Sequence, residues 1–262
     1  MKTRLKRIIW PLIYLVLIIN VCISFILVFR SYYFRSIFVS GSSMEPTLHG
    51  VGDHDYGIID DHANAIKNLH RFQIITTYYP FADSKDYVGG YKRGEKNVID
   101  ESEASYKIKR VYGFPGETIK FVVDDEWKAE AQSHTTDKYS EAAQYAAQQA
   151  VRFYVKKSNG DEFEKQNIKF KRKINIDTLD SYNNYEYTLG EEEYWVMGDN
   201  YSASSDCFKK KAPIYLDNIV GVLIAIEGTC QIESSVNVDS TEEGTRVTYK
   251  CTNRKRHLPV YY

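Results

Sequence analysis

The sequence predicts a mainly β protein held by one N-terminal membrane-spanning helix, with an inserted lobe built around a single short helix. Three observations predict this. Strand formers are plentiful: 22 Tyr and 12 Phe stand beside many Val, Ile and Thr. An uncharged apolar run occupies residues 8–29. Residues 140–150 (SEAAQYAAQQA) form the one stretch outside that run that reads well as a helix, because Ser140 can cap it and Ala, Glu and Gln propagate it.

The elements follow in chain order. At about 1.5 Å per residue, the run 8–29 reaches about 33 Å, enough to cross a bilayer core. A cleavable signal peptide would have an apolar region of only about 7–15 residues ending in small side chains. Here the run is longer and leads into FRSYYFR, so it reads as a retained anchor. Lys2, Arg4, Lys6 and Arg7 precede it, against Arg30 and Arg35 after it. That excess keeps the N-terminus cytoplasmic and sends 30–262 outside a cell membrane crossed once. Trp10 and the Tyr32, Tyr33, Phe34 cluster suit the two interfacial belts.

Beyond the anchor, 36–39 and 72–79 read as strands separated by turn formers, with Pro80 closing the second. Residues 82–105, with Gly89, Gly90 and Gly94, read as a surface loop, and 106–123 as strand, turn at Pro115-Gly116, strand. Residues 153–176 alternate lysine with apolar side chains, as exposed hairpins do, whereas 193–197 and 219–227 read as buried strands. The organisation expected is a tail at 1–7, an anchor at 8–29, a β domain from 30–123 and 187–233, an inserted lobe at 124–186, and a polar extension at 234–262.

Bulk properties exclude several functions. At 262 residues with 43% hydrophobic and 26% charged side chains, the chain is globular. A net charge of -1 without a basic stripe gives no face for nucleic acid. Four cysteines are too few for a disulfide scaffold, and no C-x-x-C pair points to zinc or redox work. Cys22 lies in the apolar run, so at most one bridge can form among Cys207, Cys230 and Cys251. A Cys230–Cys251 bridge is open if the compartment is oxidising, and the count does not decide it. His54 and His62 with Asp53, Asp55, Asp60 and Asp61 read as an acidic surface loop rather than a metal site, since no helix-spaced His pair accompanies them. No cofactor is expected.

Three segments carry chemistry. Residues 40–48 (SGSSMEPTL) place a serine on a glycine- and proline-bounded turn. Residues 106–117 (YKIKRVYGFPGE) place lysine on a strand among apolar neighbours. Residues 196–206 (VMGDNYSASSD) run from a strand into a polar turn. Each alone has an ordinary reading as a turn or a solvated face. Together, in this order and just downstream of an anchor, they resemble the type I signal peptidases. Ser43-Met44-x-Pro46-Thr47-Leu48 resembles the nucleophile box. Gly52-Asp53 resembles the pair that follows it, and Arg71-Phe72-Gln73-Ile74-Ile75 the next strand. Lys109-Arg110-Val111-x-Gly113-x-Pro115-Gly116 is similar to the box with the general-base lysine, and Gly198-Asp199-Asn200 with Ser204 and Asp206 to the last box. The likeness covers about 39–221, without the stretch 124–186.

The resemblance implies a signal-peptidase-like coiled antiparallel β-sheet domain that cuts exported precursor proteins, bound as an added strand, at the outer membrane surface. It implies Ser43 as nucleophile and Lys109 as base. Ser204 is then expected to orient the Lys109 amine, and Asp206 to pair with Arg110. No His–Asp pair stands in any box, so the base must be a neutral lysine. Neutralising an exposed lysine at pH 7 costs about 4.6 kcal/mol, and burial can lower its pKa by about 3–5, enough to offset that. Ile108 and Val111 can supply such a pocket. The Ser43 N–H is the expected oxyanion donor.

The chain also departs from the pattern. Gly41 stands where some relatives carry a serine donor, so main-chain groups must serve. Tyr201, Cys207 and Phe208 stand where Arg, Ser and Arg are usual, which removes ionic partners from Asp206. From residue 29 to Ser43 the chain spans at most about 46–50 Å, which keeps the site near membrane lipid. A signal-peptidase-like accessory or chaperone protein of surface pilus assembly, or a pilin-dedicated peptidase, is the rival reading. Retention of both Ser43 and Lys109 favours the hydrolase.

Overall fold

A computed structural model describes residues 2–78, 106–134, 137–237 and 245–252. The expected loop at 82–105 lies outside the described residues, as do the side chains of Lys2, Arg4, Lys6, Arg7 and Arg30, those of Tyr32 and Tyr33, and the end of the tail. Helix α1 (Lys2–Tyr33) contains Ile9–Val28, with a mean hydropathy of 2.7 and no buried residue, long and apolar enough to cross a membrane.

Thirteen strands follow among the described residues. In the first half are β1 (Phe34–Phe38), β2 (Gly50–Val51), β3 (Asp53–Asp60), β4 (Ile74–Tyr78), β5 (Tyr106–Gly113) and β6 (Thr118–Val123). In the second are β7 (Val151–Lys156), β8 (Glu164–Lys165), β9 (Tyr185–Thr188), β10 (Glu193–Met197), β11 (Ile214–Tyr215), β12 (Ile219–Asn237) and β13 (Thr245–Thr252). The helices are α1, α2 (Ala63–Lys67), α3 (Asp125–Ser133), α4 (Glu141–Ala150) and α5 (Cys207–Lys210). The larger sheet runs β1-β3-β12-β4-β5-β10-β11, with β2 on β3 and β13 on β12. All its pairings are antiparallel. Register shifts along β12, between Ile219 and Gly221 and again between Leu223 and Ala225, bend this long strand and curl the sheet into a half-barrel.

Several expectations change here. The acidic stretch 53–60 is a strand, not a surface loop. His54 and Asp55 are buried on it, because Asp55 accepts hydrogen bonds from His49 N and Thr229 Oγ1 while His54 Nδ1 meets the Val39 carbonyl at 3.0 Å. Residues 153–176 contain only β7 and β8 before an extended segment, not successive hairpins. The extension from 234 is structured at its start, since β12 continues into it and pairs with β13. The bridge left open by the sequence is made: Cys230 and Cys251 are register partners on these strands and are disulfide-bonded, while Cys22 and Cys207 are free thiols.

The lobe carries two helices where one was expected. On α4, Ala143, Ala146, Ala147 and Ala150 form a buried i, i+3, i+4, i+7 stripe, and Ser140 Oγ accepts from Ala143 N as the cap. The missed helix, α3, is capped by Asp124, which accepts from Trp127 N, and carries Asp125 and Glu126 in its first turn. Both helices sit beside a second sheet, β8-β7-β6-β9, whose strands begin at Thr118 and end at Thr188. The main core groups Trp195, Tyr112, Phe121 and Phe153. A smaller core of Val39, Met44, Leu48, Ile59, Ile74 and Leu223 lies under the Ser43 turn.

Candidate active site

Three pieces of chain meet at one place. The turn 40–48 leaves the end of β1 and is fastened at its base by Gly41 N donating to Gly50 O at 2.8 Å. Gly41 has φ +83°, where a side chain would be strained, so the bend needs glycine. The chain after β10 closes over this turn. Asn200 N donates to Ser43 O at 3.0 Å, and Asn200 Nδ2 to Ser42 O at 3.1 Å. A Cβ on Gly198 would fall 2.4 Å from Ser43 O, so the close approach requires a glycine there too. Strand β5 supplies the third piece.

On one face of β5, Lys109 Nζ lies 3.0 Å from Ser43 Oγ and donates to Ile108 O at 2.9 Å. Lys109 is 3% exposed. Burial draws its pKa from the ordinary 10.5 down to about 8; the charge of Asp206 opposes the shift, Lys107 adds to it, and Asp199 opposes it more weakly. The structure therefore brings Ser43 and Lys109 into hydrogen-bond contact, and burial makes the amine easier to deprotonate than an exposed lysine.

The supporting residues fall differently from expectation. Arg110 pairs with Asp199, not Asp206: Nε donates to Oδ1 at 2.8 Å and Nη2 to Oδ2 at 2.6 Å, with both side chains fully buried. The reason is strand geometry. Lys109 and Arg110 are adjacent on β5 and point to opposite faces. Asp206 acts electrostatically on the Lys109 side, whereas Asp199 lies on the Arg110 side with Thr47, which also donates to it. Arg110 Nη1 further donates to Phe72 O, and its guanidinium sits 3.9 Å from the centre of the Phe170 ring.

Asp206 is instead satisfied by backbone, accepting from Gly198 N at 3.0 Å and Lys209 N at 3.2 Å as the cap of α5. Its pKa is pushed up by burial, which these bonds and Lys109 counter. Ser204 does not bond the amine. Its hydroxyl is buried without a well-formed hydrogen bond, although it approaches Asp206 closely enough to favour that carboxylate. Gly41 N–H is already used by Gly50 O, while Ser43 N–H has no acceptor among the described residues.

The three departures from the familiar pattern are accommodated by packing. Tyr201 shares a hydroxyl–hydroxyl bond of 2.9 Å with Tyr112, Phe208 stacks on Tyr182 with ring centres 4.3 Å apart, and Cys207 is buried and accepts from Val196 N. Residues not singled out by sequence reasoning include Thr47 as an Asp199 donor, Phe170 over Arg110, and Lys173, which pairs with Glu45 at 2.7 Å. Thr47 and Asp199 stood inside recognised boxes; Phe170 and Lys173 come from the unmatched stretch and had no signal.

A cleft of about 420 Å³ opens at Ser43. Its walls are β1 and the start of β5, and Met44, Ile59 and Val220 contribute apolar lining. Strand β1 ends the sheet order, and the pairing of β10 with β5 covers Arg110 to Gly113 only. As for metals, Asp60, Asp61 and His62 place ligand atoms within 4.8 Å of one another. Asp61 already pairs with Arg35, and Asp60 with His62 inside the cluster.

The sequence model of the family described as signal peptidase, peptidase S26, matches residues 12–226. No protein of curated function matches the chain.

Proposed function

The chain belongs to the signal peptidase family, peptidase S26, and from that premise we propose that it is a membrane-anchored serine endopeptidase that removes signal peptides from exported precursors with Ser43 and Lys109. The observation that carries this reading is the 3.0 Å contact between a buried lysine amine and a serine hydroxyl at the mouth of a cleft.

With a pKa of about 8, about one amine in ten is uncharged at pH 7. That amine accepts the Ser43 proton as Oγ attacks the scissile carbonyl. The carbonyl oxygen, now negative, is met by the Ser43 N–H. Collapse breaks the C–N bond, and the Lys109 ammonium returns its proton to the departing amine. Water, deprotonated by Lys109, then attacks the acyl carbonyl; the C–Oγ bond breaks, and the Lys109 ammonium returns the proton to Ser43 Oγ, releasing the new carboxyl terminus. An extended substrate fits between β1 and the start of β5 by adding as a strand. Arg110, Asp199 and Asp206 touch no reacting atom in this scheme; they are positioning residues. The apolar helix Ile9–Val28 serves as a single-pass anchor with the N-terminus cytoplasmic, which sets the cleft beside the bilayer where a precursor is held by its own apolar segment.

The test uses the full chain in detergent micelles with a signal-bearing precursor. Wild type cuts once at the signal junction, and Ser43→Ala and Lys109→Ala each abolish cutting while still unfolding in a single cooperative transition. Cleavage that survives both substitutions would remove the mechanism. A wild type that never cuts would favour an accessory role in pilus assembly.

A further inference from the structure

A second groove, of about 740 Å³, starts at Pro46 and runs between α4 and the extended segment 168–173; it shares no lining residue with the Ser43 cleft. A smaller hollow of about 310 Å³ continues it past Gln148, Gln149, Ile168 and Arg172. Its lining holds four cations, Lys169, Lys171, Arg172 and Lys173, against one carboxylate, Glu141.

The pattern of those cations is specific. Lys169, Lys171 and Lys173 fall at every second position of the chain, while Phe170 and Arg172 between them, and Ile168 and Ile174 on either side, are partly or fully buried. The segment is thus a strand-like ribbon with one charged edge, its lysines about 7 Å apart. Over residues 167–171 it has no ladder partner among the described residues: no described hydrogen bond uses the N–H of Asn167, Ile168, Lys169, Phe170 or Lys171. It is fixed at its two ends: Gln166 N donates to Phe153 O before it, and after it Gln148 and Gln144 of α4 accept from Arg172 N and Ile174 N while Lys173 bridges Asn200.

Arg172 is a buried cation, 6% exposed, that faces both hollows. Its Nη atoms donate to the carbonyls of Val151 and Gln148, its Nε has no partner, and no carboxylate pairs with it among the described residues. A buried guanidinium without a counter-charge is costly and is relieved by an anion.

We propose that this groove docks an extended polypeptide bearing carboxylates at alternate positions. The repeat of the lysines matches the side-chain repeat of such a strand, the open N–H groups match its carbonyls, and the charge has the opposite sign. A compact anion would use one lysine and leave the row unexplained. The inference does not depend on what Ser43 does. It does link the groove to the Ser43 turn, because Lys173 is held by Glu45 at 2.7 Å and its backbone bonds to Asp199 O and Tyr201 N.

The full chain with Ser43→Ala, in detergent micelles, is titrated into a fluorescent peptide of about twelve residues alternating Glu and Thr; a Gln/Thr peptide of the same length is the control. The acidic peptide binds and the control does not. Lys169→Gln with Lys171→Gln, both exposed and remote from Ser43, weakens binding about five- to tenfold, and salt weakens it further. Equal binding of both peptides, or indifference to the lysine substitutions, overturns the proposal. So does lysine-dependent binding to phosphatidylglycerol vesicles when the acidic peptide fails to bind, which would assign the row to a membrane surface.

Discussion

The two faces of β5 at positions 109 and 110 present the same problem with opposite solutions. Lys109, 3% exposed, has no carboxylate within hydrogen-bond contact; its bonds go to a hydroxyl and a carbonyl. Arg110, fully buried, is gripped at two points by Asp199 and also by a backbone carbonyl. A buried cation is either matched by a counter-charge or loses its hold on a proton. Arginine holds its proton under all ordinary conditions, so it takes the matched site, and lysine can yield one, so it takes the unmatched site. One face of the strand carries a matched charge and the other an unmatched one, on two consecutive residues.

The sharpest way to break this comparison is Lys109→Arg. It keeps length and positive charge but removes the ability to exist uncharged. Cleavage of a signal-bearing precursor should fall by about a thousandfold or more, as far as for Lys109→Ala. Retention of even a tenth of the wild-type rate would show that charge rather than proton acceptance is what position 109 supplies. The mirror experiment is Asp199→Asn. It leaves Arg110 as an uncompensated buried charge and should destabilise the fold by about 3–5 kcal/mol, read from the denaturant midpoint. Arg110→Met combined with Asp199→Leu removes both charges and should recover most of that loss. If Asp199→Asn is neutral, the ion pair is not what fixes this face.

The third expectation concerns pH. The pKa of Lys109 is lower in the folded chain, about 8, than its ordinary 10.5, so between these values the unfolded chain binds more protons. Stability from this group therefore rises with pH from about 8 to 10.5 and is lowest below 8. Lys109→Met should be more stable than wild type below pH 8, by about 3 kcal/mol, with the two curves converging toward pH 10.5. The same titration governs rate. Wild-type kcat/KM should rise about tenfold per pH unit up to about 8 and then level. A profile flat from pH 6 to 9 would contradict a lysine base at this position.

The unequal legibility of these features has a physical origin. The Ser43 turn, the β5 lysine and the stretch from Gly198 could be read only together, in their order and downstream of the apolar run, since each alone reads as a turn or a solvated face. The choice of Asp199 over Asp206 as partner of Arg110 could not be read from spacing, since both lie in one polar turn and only the folded chain decides which faces which side of β5. Helix α3 left a readable trace in Asp124-Asp125-Glu126, an acidic cap and first turn, but its single buried position, Ala131, gave no periodic stripe like that of α4. Phe170, stacked on Arg110 from more than fifty residues away, left no local trace.

The smallest effect separates the two residues that follow Gly198. Asp199 serves the arginine face, whereas Asn200 serves the serine face: its side chain ties down Ser42 O at 3.1 Å and accepts from Ala203 N at 3.3 Å. Asn200→Ala deletes those bonds but keeps the backbone donation to Ser43 O. One lost amide bond is worth about 1 kcal/mol, so the unfolding midpoint should barely move compared with Asp199→Asn. Because the bond positions the turn carrying Ser43, kcat should fall by about three- to tenfold while KM stays near wild type. A change confined to stability, with kcat untouched, would mean that the turn is held well enough without Asn200 and that the serine face draws its order from β5 alone.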